Sequence, residues 1–216
     1  MTERASFRGC AVVACATLRP ELTALREQGF LDCDDLFFAA PGLHEEPRQL
    51  ETQLDRLLGR ALKNSSQAVV AYGDRCYIDP AKPEVTADVI LARHPEPTVR
   101  LQALNCIDML AEVGQRQGWA GGRKVYWLTP GWVLHWKYIF RKWDVGLANE
   151  TFPQHDLALV LDGVGFFDRY AAEHVEELLA FSDWMKLPIE AREITLDRLK
   201  ALFSEALACL RGGQEG

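Results

Sequence analysis

Short apolar runs alternate along this chain with stretches in which apolar residues recur every three or four positions. The run Gly9-Cys10-Ala11-Val12-Val13-Ala14-Cys15-Ala16 is continuous and apolar, as a strand buried on both faces requires. Arg19-Pro20-Glu21-Leu22 follows, and proline at a first helical position with an acid behind it starts a helix that Gly29 stops. Leu36-Phe37-Phe38-Ala39-Ala40 reads as a second strand, closed by Pro41-Gly42. From Pro47 the spacing widens: Leu50, Leu54, Leu57, Leu58, Ala61 and Leu62 form one helical stripe, broken at Asn64-Ser65-Ser66. Gln67 to Gly73 is a third strand and Asp79-Pro80-Ala81-Lys82-Pro83 a loop. Val89-Ile90-Leu91-Ala92 is expected as a fourth strand. Residues 101–114 are expected as a helix carrying Leu104, Ile107 and Leu110.

The opening pattern then returns. Lys124 to Leu128 is a strand, and Thr129-Pro130 opens a helix through Trp136 and Ile139. Asp156 to Leu161 is a strand ending at Asp162-Gly163. A helix is expected from Asp168 to about Lys186, with Val175, Leu178, Leu179 and Phe181 on one side. Ile189 to Ile194 is a last strand, and a final helix turns Leu199, Leu202, Phe203 and Ala206 inward. Strand–helix alternation near residues 9–75 and again near 124–194 predicts an α/β fold: two similar Rossmann-like halves, 1–118 and 119–216, with parallel sheets and helices on both faces. The site is expected in the cleft between the halves, beyond the carboxyl ends of the strands.

Composition narrows the class. Apolar residues at 48% and charged residues at 25% are ordinary for a globular chain. No apolar stretch reaches the roughly 18 residues of a membrane span. The charged start Met1-Thr2-Glu3-Arg4 does not suit a signal peptide, so a cytoplasmic protein is expected. A net charge of −7 without a basic run argues against nucleic acid as a partner. The six cysteines are widely spaced and form no CxxC pair, which points to free thiols, not to a disulfide framework or a zinc finger.

The strand ends carry the candidate chemistry. Cys15 ends the first strand, His44 follows the second, and Cys76 follows the third; Cys106, on a helix, can approach the same rim. Thiolates and imidazole are ligands for Zn, Fe or Co, so these four residues are the candidate metal site, for a bare ion or for a metal-containing cofactor. Gly73, Arg75, Thr129, Trp132 and Asp162 are the candidate substrate-binding residues, for a small-molecule ligand. Each has a plainer reading: Cys15 and Cys106 as core packing, His44 as a helix cap, and Cys10, Cys33 and Cys209 as structural. Trp119, Trp127, Trp132, Trp136 and Trp143 read mainly as core, although Trp132 and Trp136 at spacing four could form a flat wall for a ring-shaped ligand. His135 between them reads as solvent-facing, and the helix at 132–143 could pair with a second copy. No GxGxxG, P-loop, GxSxG or HExxH motif is present. Two other functions stay open: a metal-free module holding a small anion in the cleft, and a thiol enzyme with Cys76 as nucleophile and His44 as base. No motif assigns a catalytic residue, a substrate or a reaction.

Several of these pieces occur in a familiar order: Ala14-Cys15-Ala16-Thr17-Leu18, Pro41-Gly42-Leu43-His44-Glu45-Glu46-Pro47, Tyr72-Gly73-Asp74-Arg75-Cys76, Asn105-Cys106 and Tyr126-Trp127-Leu128-Thr129-Pro130-Gly131-Trp132. The ordered set resembles the DUF1638 family from the first strand to about Asp162. The resemblance implies an intracellular α/β protein that keeps a cysteine at the first strand end, the loop histidine, and a cysteine in the Tyr-Gly turn. It also implies a further cysteine that a histidine or acid commonly precedes. Here Asn105 precedes Cys106, and Arg75 stands beside Cys76 where a small residue is more usual. Members of the family are associated with corrinoid-dependent methyl metabolism. That association implies a corrinoid protein or methyltransferase as partner.

Overall fold

The computed structural model describes residues 6–77 and 85–212, with the Val145 side chain excepted. The loop expected at 79–83 lies outside the described residues. Strands β1 (Cys10–Cys15), β2 (Asp35–Ala39), β3 (Gln67–Ala71) and β4 (Thr98–Arg100) form one wholly parallel sheet in the order β2-β1-β3-β4. Strands β5 (Val125–Leu128), β6 (Leu157–Asp162) and β7 (Ile189–Glu193) form a second parallel sheet in the order β5-β6-β7. Both sheets follow the expected α/β plan. Only the first reverses its strand order, between β1 and β3. A crevice opens at such a reversal because the helices on either side leave in opposite directions.

Alternate residues of β1 and β3 face opposite layers. Val12, Ala14, Val69 and Ala71 pack with Leu22 and Leu25 of α1 (Arg19–Glu27) and with Ile107 and Leu110 of α4 (Cys106–Leu110). Ala11, Val13, Ala68 and Val70 pack with the leucine stripe of α2 (Pro47–Ala61) and with α3 (Asp88–Leu91). The last helix, α10 (Asp197–Gly212), returns to the first sheet: Leu199, Leu202, Phe203, Ala206, Leu207 and Leu210 join the layer of α1 and α4. Around β6, Ala158 and Val160 pack with α6 (Pro130–Ile139), α7 (Val145–Thr151) and α9 (Val175–Met185).

Three expected elements differ. The apolar run at 89–92 lies in α3, not in a strand; Thr86 accepts from the Asp88 N–H at 3.4 Å and starts the turn. A run of four apolar residues carries too little periodicity to separate helix from strand. The fourth strand is Thr98–Arg100, whose pattern is masked by Arg100; its guanidinium is buried and paired with Asp74 and Asp88. The helix expected over 101–114 is two pieces, because Ala111 is extended (φ −150°, ψ 136°) between α4 and α5 (Val113–Ala120). The helix expected over 168–186 breaks at His174 into α8 (Phe166–Glu173) and α9, and Val175 and Leu179 stand 51% and 62% exposed, away from buried Phe181.

The halves meet where the N-terminus of α6 sits on the turn after β1. Thr129 donates its hydroxyl to the Thr17 carbonyl at 2.6 Å. Gly131 lies so close to the Thr17 backbone that any Cβ there would overlap it. Among the described residues no helix is long and apolar enough to cross a membrane.

Candidate functional site

Cys15 is the last residue of β1, on the edge where the strand order reverses. The chain turns at once through Ala16–Leu18, and Thr17 donates its hydroxyl to the Cys15 sulfur at 3.1 Å. Beyond β3 the chain reaches Tyr72, Gly73 and Cys76. The Asp74 N–H donates to the Ala103 carbonyl at 2.9 Å, and the Arg75 N–H to the Leu104 carbonyl at 2.8 Å. These bonds tie the turn after β3 to the loop before α4. Gly73 permits that approach, because a Cβ there would stand inside the backbone of Leu104 and Asn105. The pairing sets Cys76 beside Cys106. Asn105 caps α4 by accepting from the Asp108 N–H at 2.9 Å, which makes Cys106 the first helical residue.

The result is a cavity of about 20 Å³ lined by Cys15, Cys76, Cys106 and His44, together with Thr17, Tyr72 and Trp132. Donors surround the sulfurs. Cys76 accepts from the Gly73 N–H at 3.4 Å and also from the Cys106 backbone N–H. The Tyr72 hydroxyl faces Cys15, and the Trp132 indole N–H faces Cys106. Both groups are buried without a completed hydrogen bond. Buried polar groups in that state are costly and uncommon, so they mark a place built for a further acceptor.

Burial dominates the electrostatics. Burial, with the neighbouring Cys15 adding to it, pushes the Cys76 thiol up to about 12. Cys106 is raised by burial and then by Cys76 and Cys15. The thiols thus oppose one another's ionisation. A cation among them reverses that balance, since a bound metal deprotonates the thiols that ligate it. His44 is exposed, and its ring lies tilted against Trp132 with centroids 5.7 Å apart. The surrounding protein lowers its pKa. Among the described residues no group of three or more His, Cys, Asp or Glu side chains is placed to hold a metal ion.

A larger chamber of about 390 Å³ lies outside the thiols, between the halves. It shares His44, Cys76, Cys106 and Trp132 with the inner cavity. The first half adds Arg75, Asn105 and Arg116; the second adds Tyr126, Trp127 and His155.

Of the residues singled out in the sequence, Cys15, His44, Cys76, Cys106 and Trp132 converge on the inner cavity, and Arg75 lines the chamber. Gly73 serves backbone packing. Thr129, fully buried, bridges to Thr17 and accepts from the Trp132 N–H at 3.3 Å. Asp162 accepts from the N–H groups of Val164 and Phe167 at 3.0 and 2.7 Å, which closes the turn after β6. Trp136 does not share a wall with Trp132: His135 is non-helical (φ −118°, ψ 15°), and Trp136 stacks on Phe181 at 5.0 Å. Thr17, Tyr72, Arg116, Tyr126 and His155 join the site from positions with no chemical motif; the closest signal was Tyr72 beside the conspicuous Gly73.

A family model described as a protein of unknown function, DUF1638, matches residues 38–203. No curated protein and no solved structure matches the chain.

Proposed function

Because the chain belongs to the DUF1638 family, whose description assigns no activity, we propose from the site itself that it is a metal-binding protein. It holds one soft transition-metal ion through Cys15, Cys76 and Cys106, with His44 on the open fourth side. The observation that carries this reading is the convergence of three thiols, from the ends of β1 and β3 and the start of α4, on one cavity where hydrogen-bond donors approach the sulfurs. A volume of about 20 Å³ suits a single ion or water. It is far below the roughly 300–1,000 Å³ of pockets for organic ligands, so a bare ion fits this cavity and a macrocyclic cofactor does not.

Three thiolates and an imidazole suit Zn, Fe or Co. The backbone N–H groups of Gly73 and Cys106 and the Thr17 hydroxyl hold the sulfurs in orientation, as outer partners do around metal ligands generally. When bound, the ion supplies a Lewis-acid centre that activates a soft donor reaching it from the chamber. His44, shared by the cavity and the chamber, would hold the ion from the exposed side. Ligation requires the thiols to rotate toward a common point. We place this chemistry in methyl or one-carbon metabolism, as an enzyme or an accessory to a corrinoid protein or methyltransferase, on the strength of the family resemblance.

The rival with Cys76 as a free nucleophile is disfavoured by the burial that drives its thiol to about 12, the opposite of an activated thiol. Elemental analysis of anaerobically purified protein tests the metal reading. A single Zn, Fe or Co per chain is expected, with loss of metal in Cys15→Ser, Cys76→Ser and Cys106→Ser. Full metal content in those variants after dialysis overturns it.

A further inference from the structure

The chamber outside the thiols is charged oppositely to the protein. The chain carries −7, yet among the described residues the chamber wall holds Arg75 and Arg116 and no carboxylate. Arg75 is exposed, and none of the ion pairs among the described residues uses its guanidinium. Arg116 is anchored: its Nε donates to the Ala111 carbonyl at 3.2 Å, and its guanidinium carbon lies 5.9 Å from the Trp127 ring centre. Among the described residues its one carboxylate partner is Asp108 at 3.8 Å, which Arg198 shares at 3.4 Å while also pairing with Glu112 at 2.6 Å. Clefts of one sign concentrate small ions of the other.

Part of the remaining wall is flat and apolar. Trp127, Trp132 and Ile107 face the same space. A volume of about 390 Å³ lies within the range of small-molecule pockets. Charge alone would suit inorganic anions; charge beside indole faces suits an acid with an apolar body.

We propose that this chamber binds a small organic carboxylate, its acid group paired with Arg75 and drawn in by Arg116, its body against Trp127 and Trp132. A guanidinium fork matches the two oxygens of a carboxylate. The inference rests on the metal reading at one point: the chamber opens onto Cys76, Cys106 and His44, so a bound carboxylate would lie beside the residues that would hold the ion.

Calorimetric titration of zinc-loaded and chelator-treated protein with benzoate, benzamide and inorganic phosphate tests it. Benzoate is expected to bind about tenfold or more tightly than either benzamide, which lacks the charge, or phosphate, which lacks the body. Arg75→Ala and Arg75→Gln are each expected to weaken benzoate by about tenfold without changing the zinc content of the same sample. Benzoate binding no tighter than benzamide or phosphate, or unaffected by both Arg75 variants, overturns the proposal. Failure of the metal reading shows separately, as zinc content insensitive to Cys106→Ser.

Discussion

Thr129 and Thr17 lie 112 positions apart and are joined by a 2.6 Å hydrogen bond from hydroxyl to carbonyl. Thr17 in turn donates to Cys15, so the seam between the halves is one residue removed from a candidate ligand. The same Thr129 oxygen accepts from the Trp132 N–H and so caps the helix that carries Trp132 into the site.

Thr129→Val keeps the shape and removes both bonds. It removes a hydrogen bond to a buried carbonyl and leaves α6 without its side-chain cap, at a combined cost of about 2–4 kcal/mol. Urea unfolding should show the loss, and Thr129→Ser should restore most of it. A midpoint unchanged by the valine would mean that the seam does not depend on this bond.

Gly73→Ala should cost more stability than Gly114→Ala. The first places a methyl group against the backbone of Leu104 and Asn105; the second, inside α5, meets nothing within 4 Å. Removal of an exposed helical glycine stabilises by roughly 0.5–1 kcal/mol. Overpacking against backbone destabilises by about 1–3 kcal/mol or more. Zinc content should fall in Gly73→Ala alone, because the turn and loop it separates carry Cys76 and Cys106. Equal thermal midpoints for the two variants would count against the close approach.

Glu21 is fully buried on α1, and neither carboxyl oxygen has a hydrogen-bond partner. Burial lifts its pKa to about 8 from an ordinary 4.5, with repulsion from buried Asp162 adding to the rise. Between those values the folded state keeps a proton that the unfolded state has released. Stability therefore falls as pH rises through that window, by at most about 1.4 kcal/mol per unit, and levels off above about 8. Glu21→Gln should remove the fall and gain stability on the order of a few kcal/mol near pH 8. Parallel stability–pH curves for the two proteins would contradict this.

Tyr72→Phe should separate the effects of folding and ligation. The Tyr72 hydroxyl is buried without a partner, so its removal should leave the chelator-treated protein as stable as before, or more so. With metal bound, the hydroxyl is positioned to donate to a ligand sulfur, and outer-shell losses weaken metal binding by about 10–100-fold. Competition against a zinc chelator would measure it. Equal zinc affinity in both proteins would mean that Tyr72 does not act on the bound thiolate.

The convergence of Cys15, His44 and Cys76 was legible because parallel crossover topology places every strand's carboxyl end on one edge. Residues 60 positions apart in sequence meet there without a motif. What the sequence hid has physical causes. Arg100 occupies a strand of only three residues, and its charge is neutralised by partners that no local pattern reveals. Trp136 departs from Trp132 because one backbone angle pair at His135 breaks the helical spacing. Thr129 and Asp162 occupy strand ends, where a polar side chain can serve either a ligand or the turn itself; here both serve the turn. Arg116 and His155 enter the chamber from opposite halves, so neither has a sequence neighbour that signals the other.

The return of α10 to the first sheet fixes an order of assembly. A ribosome makes β1 to β4 first, but the face of that sheet already carrying α1 and α4 stays only partly covered until residues 199–210 emerge to complete it. Exposed apolar sheet surface during synthesis invites association with other chains. The residues that line the thiol cavity, 15 to 132, are by contrast all synthesised before α10 begins. Cells making this protein face their greatest exposure to aggregation in that interval.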